Sequence, residues 1–353
     1  MEAAAGPREV LLPAGHAFFR QCHAATIVAF PVGDLLVAFF AGEREGAGDT
    51  AIWLASRRNG LWQAPRRLFG EPGLAHWNPV LHAEGQHVWL FYKVGPDVQR
   101  WVTRVAVSAD GGASWSEPRL LVAGDPRPRG PVKNKLLVLP DGAWLAPGSV
   151  EDDARWNAFV DRSADHGETW QLCDVALSRA AEPTAPETGK VAMGKVWDGL
   201  SGGALWESDP GRAFAWDGVI QPSLWQSAPH SVHMLLRSTR GRIYRSDSED
   251  GGRHWSPAYA TKLPNNNSGL DLVRLTDGAL LLACNPVAGN WASRTPLSLL
   301  TSSDNGESWT HQLDLEAGAG EFSYPAIIAS GAAVHVVYTA DRRTIVYREI
   351  AWG

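Results

Sequence analysis

The sequence predicts an all-β chain, a six-bladed β-propeller whose last blade is closed by the N-terminal strand, forming one domain over residues 1–353. Three observations carry this. The composition is turn-rich and aromatic, an eight-residue hairpin motif recurs along the chain, and short alternating apolar runs precede each copy.

Gly 36, Pro 23 and Trp 17 in 353 residues suit many short antiparallel strands better than long helices. Lys and Arg total 32 against 38 Asp and Glu, a net charge of −6 with no basic run, so nucleic acid is not an expected partner. The cysteines are Cys22, Cys173 and Cys284, without metal-ligand spacing; neither a disulfide framework, a metal site nor a cofactor is expected. The first residues lack the basic and apolar regions of an export signal, and no apolar run reaches bilayer-spanning length. The chain as written is expected to be cytoplasmic, or secreted or periplasmic if a leader was trimmed; the sequence leaves its oligomeric state open.

The repeat is S-x-D-x-G-x-x-W. It occurs at Ser108 to Trp115, Ser163 to Trp170, Ser248 to Trp255 and Ser302 to Trp309, with a degenerate copy, Ser56 to Trp62, that lacks the Asp. Asp and Ser side chains bond turn amides, Gly supplies a left-handed backbone, and Trp tucks under the hairpin. The motif is a folding device, not a catalytic one. Successive copies lie about 50 to 55 residues apart, except that a Gly-, Pro- and Ala-rich stretch from Leu172 to Gly218 reads as a long inserted connection.

Strands are expected over apolar runs such as Leu35 to Phe40, Val88 to Tyr92, Leu136 to Leu139, Ser223 to Trp225, Val232 to Leu236, Ala279 to Cys284 and Val334 to Tyr338. The final unit ends before an outer strand can form, whereas Arg8 to Leu12 is an apolar segment with no partner. That segment is therefore expected to complete the last blade and remove a free edge.

In a four-stranded meander the hairpin motifs occupy one face and the starts of the first strands the other. Those starts carry His23, His76 with Asn78, Lys133, Gln221, Asn267, and Glu321 with Tyr324; the turns between second and third strands add Arg44, Asp49, Arg237 and Arg294. Polar and ionisable groups recurring at one end of apolar strands exceed what solvation requires. One polar site at a common rim is expected.

With these motifs in view, the chain resembles the sialidase superfamily, and within it the bacterial BNR-repeat, or Asp-box, group of neuraminidase-like proteins. The matching segments are Cys22 to Ile27, Gly42 to Gly46 with Asp49 to Trp53, His76 to Pro79, Pro131 to Lys135, Asn267 to Gly269 and Glu321 to Pro325. The resemblance implies an exo-acting glycoside hydrolase that removes a terminal acidic sugar from a glycan. It implies arginines around the substrate carboxylate, since guanidinium forks match carboxylates in two-point geometry. Arg237 and Arg294 fall at two of the family's positions, and Arg20 and Arg44 compete for the third. Tyr324 matches the nucleophile, a phenol being less repelled by an anionic sugar than a carboxylate, and Asp49 matches the acid/base. Gln221 departs from the pattern, because the family places there the glutamate that takes the tyrosine proton; Glu321 or Glu151 would have to substitute. His23, His76 and Lys133 lie outside the family's usual set. They point to a second reading, a uronate-directed polysaccharide lyase using His and Tyr324, and loss of the base points to a third, a non-catalytic glycan-binding propeller.

Overall fold

In the computed structural model, strand pairing follows the sequence repeats. The structure describes residues 3–12, 16–31, 33–152, 155–178, 215–331 and 333–352. They divide into two compact units, Met1–Lys135 with Tyr324–Gly353, and Leu136–Ser323.

The first unit holds three antiparallel sheets. One runs Gln21–Ala29, Leu35–Gly42, Ala51–Arg58, with Leu61–Trp62 and Arg66–Phe69 both on the last of these. Another runs Ala75–Glu84, His87–Gly95, Val102–Ser108, Arg119–Leu120. The third runs Phe322–Ser330, Ala333–Ala340, Thr344–Trp352, its first two residues belonging to the other unit. On its outer strand lie Ala3–Ala5 and Glu9–Val10, the latter opposite Tyr347 and Val346. The N-terminal segment thus pairs where the sequence places it. Leu11 and Leu12 are buried with Val337, Ile345 and Tyr347, which fixes the segment by burial as well as by hydrogen bonds.

In the second unit the repeats are less separate than the sequence implies. The meanders Leu137–Val138, Trp144–Asp152, Arg155–Ser163, Gln171–Val175 and Asp217–Ala228, Ser231–Ser238, Arg242–Ser248, Tyr259–Pro264 join into one eight-stranded sheet. The link is a parallel pairing of Arg155 and Trp156 with Asp217 and Gly218, so Asp217–Ala228 joins the same strand, Arg155–Ser163, on which Gln171–Val175 lies. A further sheet runs Asp271–Arg274, Leu280–Cys284, Leu297–Ser302, Thr310–Glu316. The stretch expected to be one connection, Leu172 to Gly218, contains most of the outer strand Gln171–Val175 and the start of Asp217–Ala228. Its middle, 179–214, lies outside the described residues. The expected strand Leu136 to Leu139 pairs only over Leu137–Val138, while that at Ser223 to Trp225 extends to twelve residues.

All four complete hairpin motifs close in the same way. In the first, Ser108 Oγ accepts from Gly112 N at 2.8 Å and donates to Asp110 Oδ1 at 2.7 Å; Asp110 Oδ1 accepts from Ser114 N at 2.9 Å, and Trp115 Nε1 donates to Gly112 O at 3.1 Å. The other three repeat these bonds. In the degenerate copy Asp34, from the neighbouring hairpin, supplies the missing carboxylate: it accepts from Asn59 N at 3.2 Å and Arg58 at 2.9 Å.

Two predictions arise here. Gly252 has φ of +81°, and an added Cβ would sit 2.8 Å from Leu145 Cδ1. Gly252→Ala is expected to cost about 2 kcal/mol, read from the urea unfolding midpoint. The second concerns acid. Hydrogen bonds from Ser114, Thr169 and Ser308, then from their backbone amides and Ser108, Ser163 and Ser302, hold Asp110, Asp165 and Asp304 at about 2. Each carboxyl is depressed on folding, so its contribution is present above the unfolded value near 3.9 and is lost as pH falls through about 2. Urea midpoints should therefore fall steeply between about pH 4 and pH 2, and less steeply in a triple Asp→Asn variant; equal slopes would refute the assignment.

Candidate functional site

In each repeat the backbone bends in the first strand or in the segment just before it. Asn78, Lys133, Gln221, Asn267 and Tyr324 all have positive φ, at 43°, 73°, 56°, 58° and 54°, and Ala24 in the first repeat has 53°. For three of them the distortion is a β-bulge: pairing skips between His23 and Thr26, Trp77 and Val80, and Ile220 and Ser223. A bulge aims successive side chains off the regular alternation. A bulky residue in the left-handed region costs about 1–3 kcal/mol and persists where surrounding structure enforces it, commonly at functional positions. All six residues are buried.

In the second unit these bends organise two arginines. Arg237 ends the strand Ser231–Ser238, at the end of its sheet opposite the hairpin motif. Its Nε donates to Asn267 Oδ1 at 2.9 Å and its Nη1 to Gln221 Oε1 at 3.1 Å, so both bent residues hold it. Asn267 Nδ2 in turn donates to Asn290 Oδ1 at 2.7 Å. The Arg237 guanidinium lies 5.1 Å from the Trp156 ring and 5.8 Å from that of Trp291. Arg294 lies 5.9 Å from the same Trp291 ring, and its Nη1 donates to Glu321 Oε1 at 2.7 Å and Ser323 Oγ at 3.4 Å. Ser323 Oγ donates to the same Glu321 oxygen at 2.9 Å. Arg237, Arg294 and Glu321 are each only 2% exposed. Trp216 stacks on Trp156 at 5.5 Å and closes the apolar side.

In the first unit the Tyr324 ring lies against that of His23, centroids 4.1 Å apart and tilted by 45°, and His23 Nδ1 is 3.0 Å from Thr339 Oγ1. The residue after Tyr324 is anchored as well: Lys133 Nζ donates to Pro325 O, and to Asn134 Oδ1 at 2.8 Å. Lys133 is 2% exposed, a buried ammonium spent partly on fixing the carbonyl of the residue after the tyrosine. Arg342, also at positive φ and buried, pairs with Glu45, and its carbonyl accepts from Cys22 N at 2.8 Å.

Other expected site residues of this unit lie in different surroundings. Asp49 is exposed, and its Oδ2 accepts from Glu43 N at 2.9 Å. Arg20 is exposed and pairs with Glu43 at 2.6 Å. Arg44 is exposed, and its Nη1 donates to the next residue's carbonyl at 3.4 Å. His76 is tied to its own repeat: Glu71 N donates to its Nε2 at 3.3 Å, its Nδ1 lies 3.1 Å from Leu74 O, and its ring stacks on Tyr92. Burial pushes the His76 imidazole below its usual range, so it is neutral at pH 7. Asn78 is buried at its bulge.

The sequence reading missed Trp156, Trp291, Asn290, Ser323 and Thr339. No local pattern marks Trp156, Asn290 or Thr339, which act through partners distant in sequence, whereas Ser323 bonds Glu321 two residues away. Trp291 alone carries a trace, lying three residues before an arginine of the expected set.

The BNR repeat-like domain family matches residues 33–336. No curated protein sequence matches the chain. Among solved structures, a protein of unknown function from Dyadobacter fermentans DSM 18053 is similar at 14% identity, with 99% of each chain covered and a TM-score of 0.72. The NanB sialidase from Streptococcus pneumoniae is similar at 11% identity, over 98% of this chain and 71% of that one, with a TM-score of 0.70. A Trypanosoma rangeli sialidase in complex with 2,3-difluorosialic acid is similar at 13% identity, TM-score 0.68, over 94% of this chain and 54% of its own, so this chain spans about half its length. At such identities the likeness is one of fold, all-β and sialidase-like. Repeats, fold and matched residues agree, and the chain belongs to the BNR repeat-like domain family.

Proposed function

We propose that this chain is an exo-acting glycoside hydrolase that releases a terminal acidic sugar, built as one six-bladed β-propeller domain over residues 1–353. The observation that carries the substrate class is the pair of buried guanidiniums, Arg237 and Arg294, set against the one ring of Trp291. Their planes are fixed before any ligand arrives, so binding a carboxylate costs little ordering of long side chains. Support for six blades comes from the six bent residues, one at the start of each repeat.

In this reading Tyr324 Oη attacks the anomeric carbon, and the glycosidic oxygen leaves with the proton of Asp49; a water deprotonated by Asp49 then releases the sugar from the phenol. Gln221 cannot take the tyrosine proton, and its oxygen is occupied by Arg237. His23, whose ring lies against that of Tyr324, takes that proton instead. Glu321 orients Arg294, Asn267 and Gln221 orient Arg237, and Lys133 orients Tyr324. Arg20 and Arg44 are the remaining arginines for the rim of the site, with His76 and Asn78 beside it.

A second reading, a uronate lyase, draws on the same His23 and Tyr324 contact, since an imidazole and a phenol can remove and return protons across a uronic acid. One experiment separates them. Wild-type protein is incubated with aryl sialosides and with uronic-acid oligosaccharides. Release of free acidic sugar with no absorbance of an unsaturated product supports the hydrolase. An ultraviolet-absorbing unsaturated product selects the lyase, and turnover of neither class leaves a binding protein.

A further inference from the structure

In the second unit a serine, a histidine and an aspartate stand in line across three neighbouring strands, at the hairpin-motif end of the sheet that carries Arg237 at its other end. His233 pairs with Trp225 on one side and Asp247 on the other, and the bulge between Gln226 and Ala228 falls on Ser227. A bulge turns a side chain off the regular alternation. Ser227 is half-buried beside the exposed turn Ala228 to His230, whereas His233 is buried. Ser227 Oγ lies 2.7 Å from His233 Nε2, and His233 Nδ1 lies 2.5 Å from Asp247 Oδ1.

The neighbours dictate which ring nitrogen carries the proton. The Trp225 indole can only donate, and its Nε1 reaches Asn305 Oδ1 at 2.7 Å. The Asn305 amide is thereby oriented with Nδ2 toward His233 Nε2, at 3.2 Å. A nitrogen approached by an amide donor is bare, so Nδ1 holds the proton and donates to Asp247, while Ser227 Oγ donates to Nε2. Arg245 Nη2 stands 3.3 Å from Nδ1, too far to displace a carboxylate at 2.5 Å. Arg245 serves Asp247 instead: its Nε donates to Oδ1 at 2.9 Å, and Tyr259 Oη donates to Oδ2 at 2.8 Å. Burial raises the Asp247 carboxyl, but hydrogen bonds from His233, Arg245 and Tyr259 outweigh it and hold it at about 2. It is charged at neutral pH, as an aspartate that stabilises an imidazolium must be. Joining neighbouring repeats does not call for the serine and histidine, because Arg245 Nη1 already donates to Asn305 O at 2.9 Å, as Arg58 and Arg162 do to Gly111 O and Gly251 O.

We propose that Ser227, His233 and Asp247 hydrolyse carboxylic esters of a small acyl group, with Asn305 Nδ2 donating to the oxyanion. Ser227 Oγ bonds to the carbonyl carbon as its proton passes to His233 Nε2, and the carbonyl electron pair moves onto oxygen beside Asn305 Nδ2. When that pair returns, the bond to the alcohol oxygen breaks and the alcohol leaves with the proton from His233. Water then gives a proton to the same nitrogen and adds to the acyl-serine, and Ser227 departs with that proton, leaving the free acid. Trp225 and His233 are both buried behind Ser227, which keeps the acyl group short, while the alcohol lies toward the exposed turn. This activity is separate from the glycosidase reading and does not rest on it.

The test uses 4-nitrophenyl acetate as substrate and diethyl 4-nitrophenyl phosphate as a trap, on wild type, Ser227→Ala and Asn305→Gly. Glycine suits the φ of 57° at position 305, so the second variant removes the amide without straining the turn. Wild type should release nitrophenol over many turnovers and faster than an equal concentration of free imidazole. Ser227→Ala should be at least about a hundredfold slower, and Asn305→Gly about a hundredfold slower in kcat with KM almost unchanged. Peptide mass spectrometry of trapped wild type, which requires no variant to fold, should place the diethylphosphoryl group on Ser227. A wild type no faster than imidazole, a Ser227→Ala variant within about tenfold of wild type, or a trap found on another residue or on none would each overturn the proposal.

Discussion

Arg294→Ala is expected to abolish binding of acidic glycans and to destabilise the protein by about 3–5 kcal/mol, because it leaves the Glu321 carboxylate buried beside a vacated guanidinium position. Both partners are 2% exposed and 2.7 Å apart, so neither can turn to solvent. A companion variant separates structure from function. Arg294→Met combined with Glu321→Leu removes both charges and should recover most of the lost stability, since replacing a buried pair by apolar groups of similar volume is often close to neutral. It should recover no binding. Urea unfolding gives the first quantity and calorimetric titration with an acidic monosaccharide the second; recovery of binding by the double variant would show that the guanidinium is a structural tie alone.

For Tyr324→Phe the expected result is a loss of about three orders of magnitude or more in kcat with stability almost unchanged. The phenylalanine ring keeps the tilted contact with His23 at 4.1 Å and the same strained backbone, and only the hydroxyl is removed. Groups that form the covalent intermediate contribute on that scale in other hydrolases. Single-turnover kinetics on an aryl glycoside of the acidic sugar is the measurement; a Tyr324→Phe variant within tenfold of wild type would remove the phenol from the reaction. Lys133→Met should behave differently, lowering kcat through a displaced Pro325 carbonyl while leaving the reaction's pH profile in place.

Much of the fold was legible because its signals are local. The hairpin motif writes its hydrogen bonds within eight residues, so Ser108, Asp110, Gly112 and Trp115 could be assigned their parts without knowing anything distant. Pairing of the N-terminal segment with the last strand was legible by elimination, as one outer strand was missing and one apolar segment was spare. The bridge between Arg155 and Asp217 was not, because it depends on how a long connection returns and no local pattern encodes that.

For the site the division is similar. Asn78, Gln221 and Tyr324 were legible as polar residues recurring at the starts of first strands, the positions whose backbone turns out to be bent. What those bends do could not be read. The service of Gln221 and Asn267 to Arg237, and the part Trp291 plays for two arginines, are contacts between segments far apart in the chain. Arg20 shows the reverse case, a residue prominent in sequence whose side chain turns outward to Glu43.

The seam between Ala3–Ala5 and the strand ending at Trp352 has a bearing on biosynthesis. Ala3–Ala5 must stay unpaired until Thr344–Trp352 has been made, and joining them closes a longer loop than any other strand pairing among the described residues. Refolding should therefore end in a slow step that senses both termini, and a bulky fusion placed directly before Ala3 should retard that step more than it weakens the finished protein.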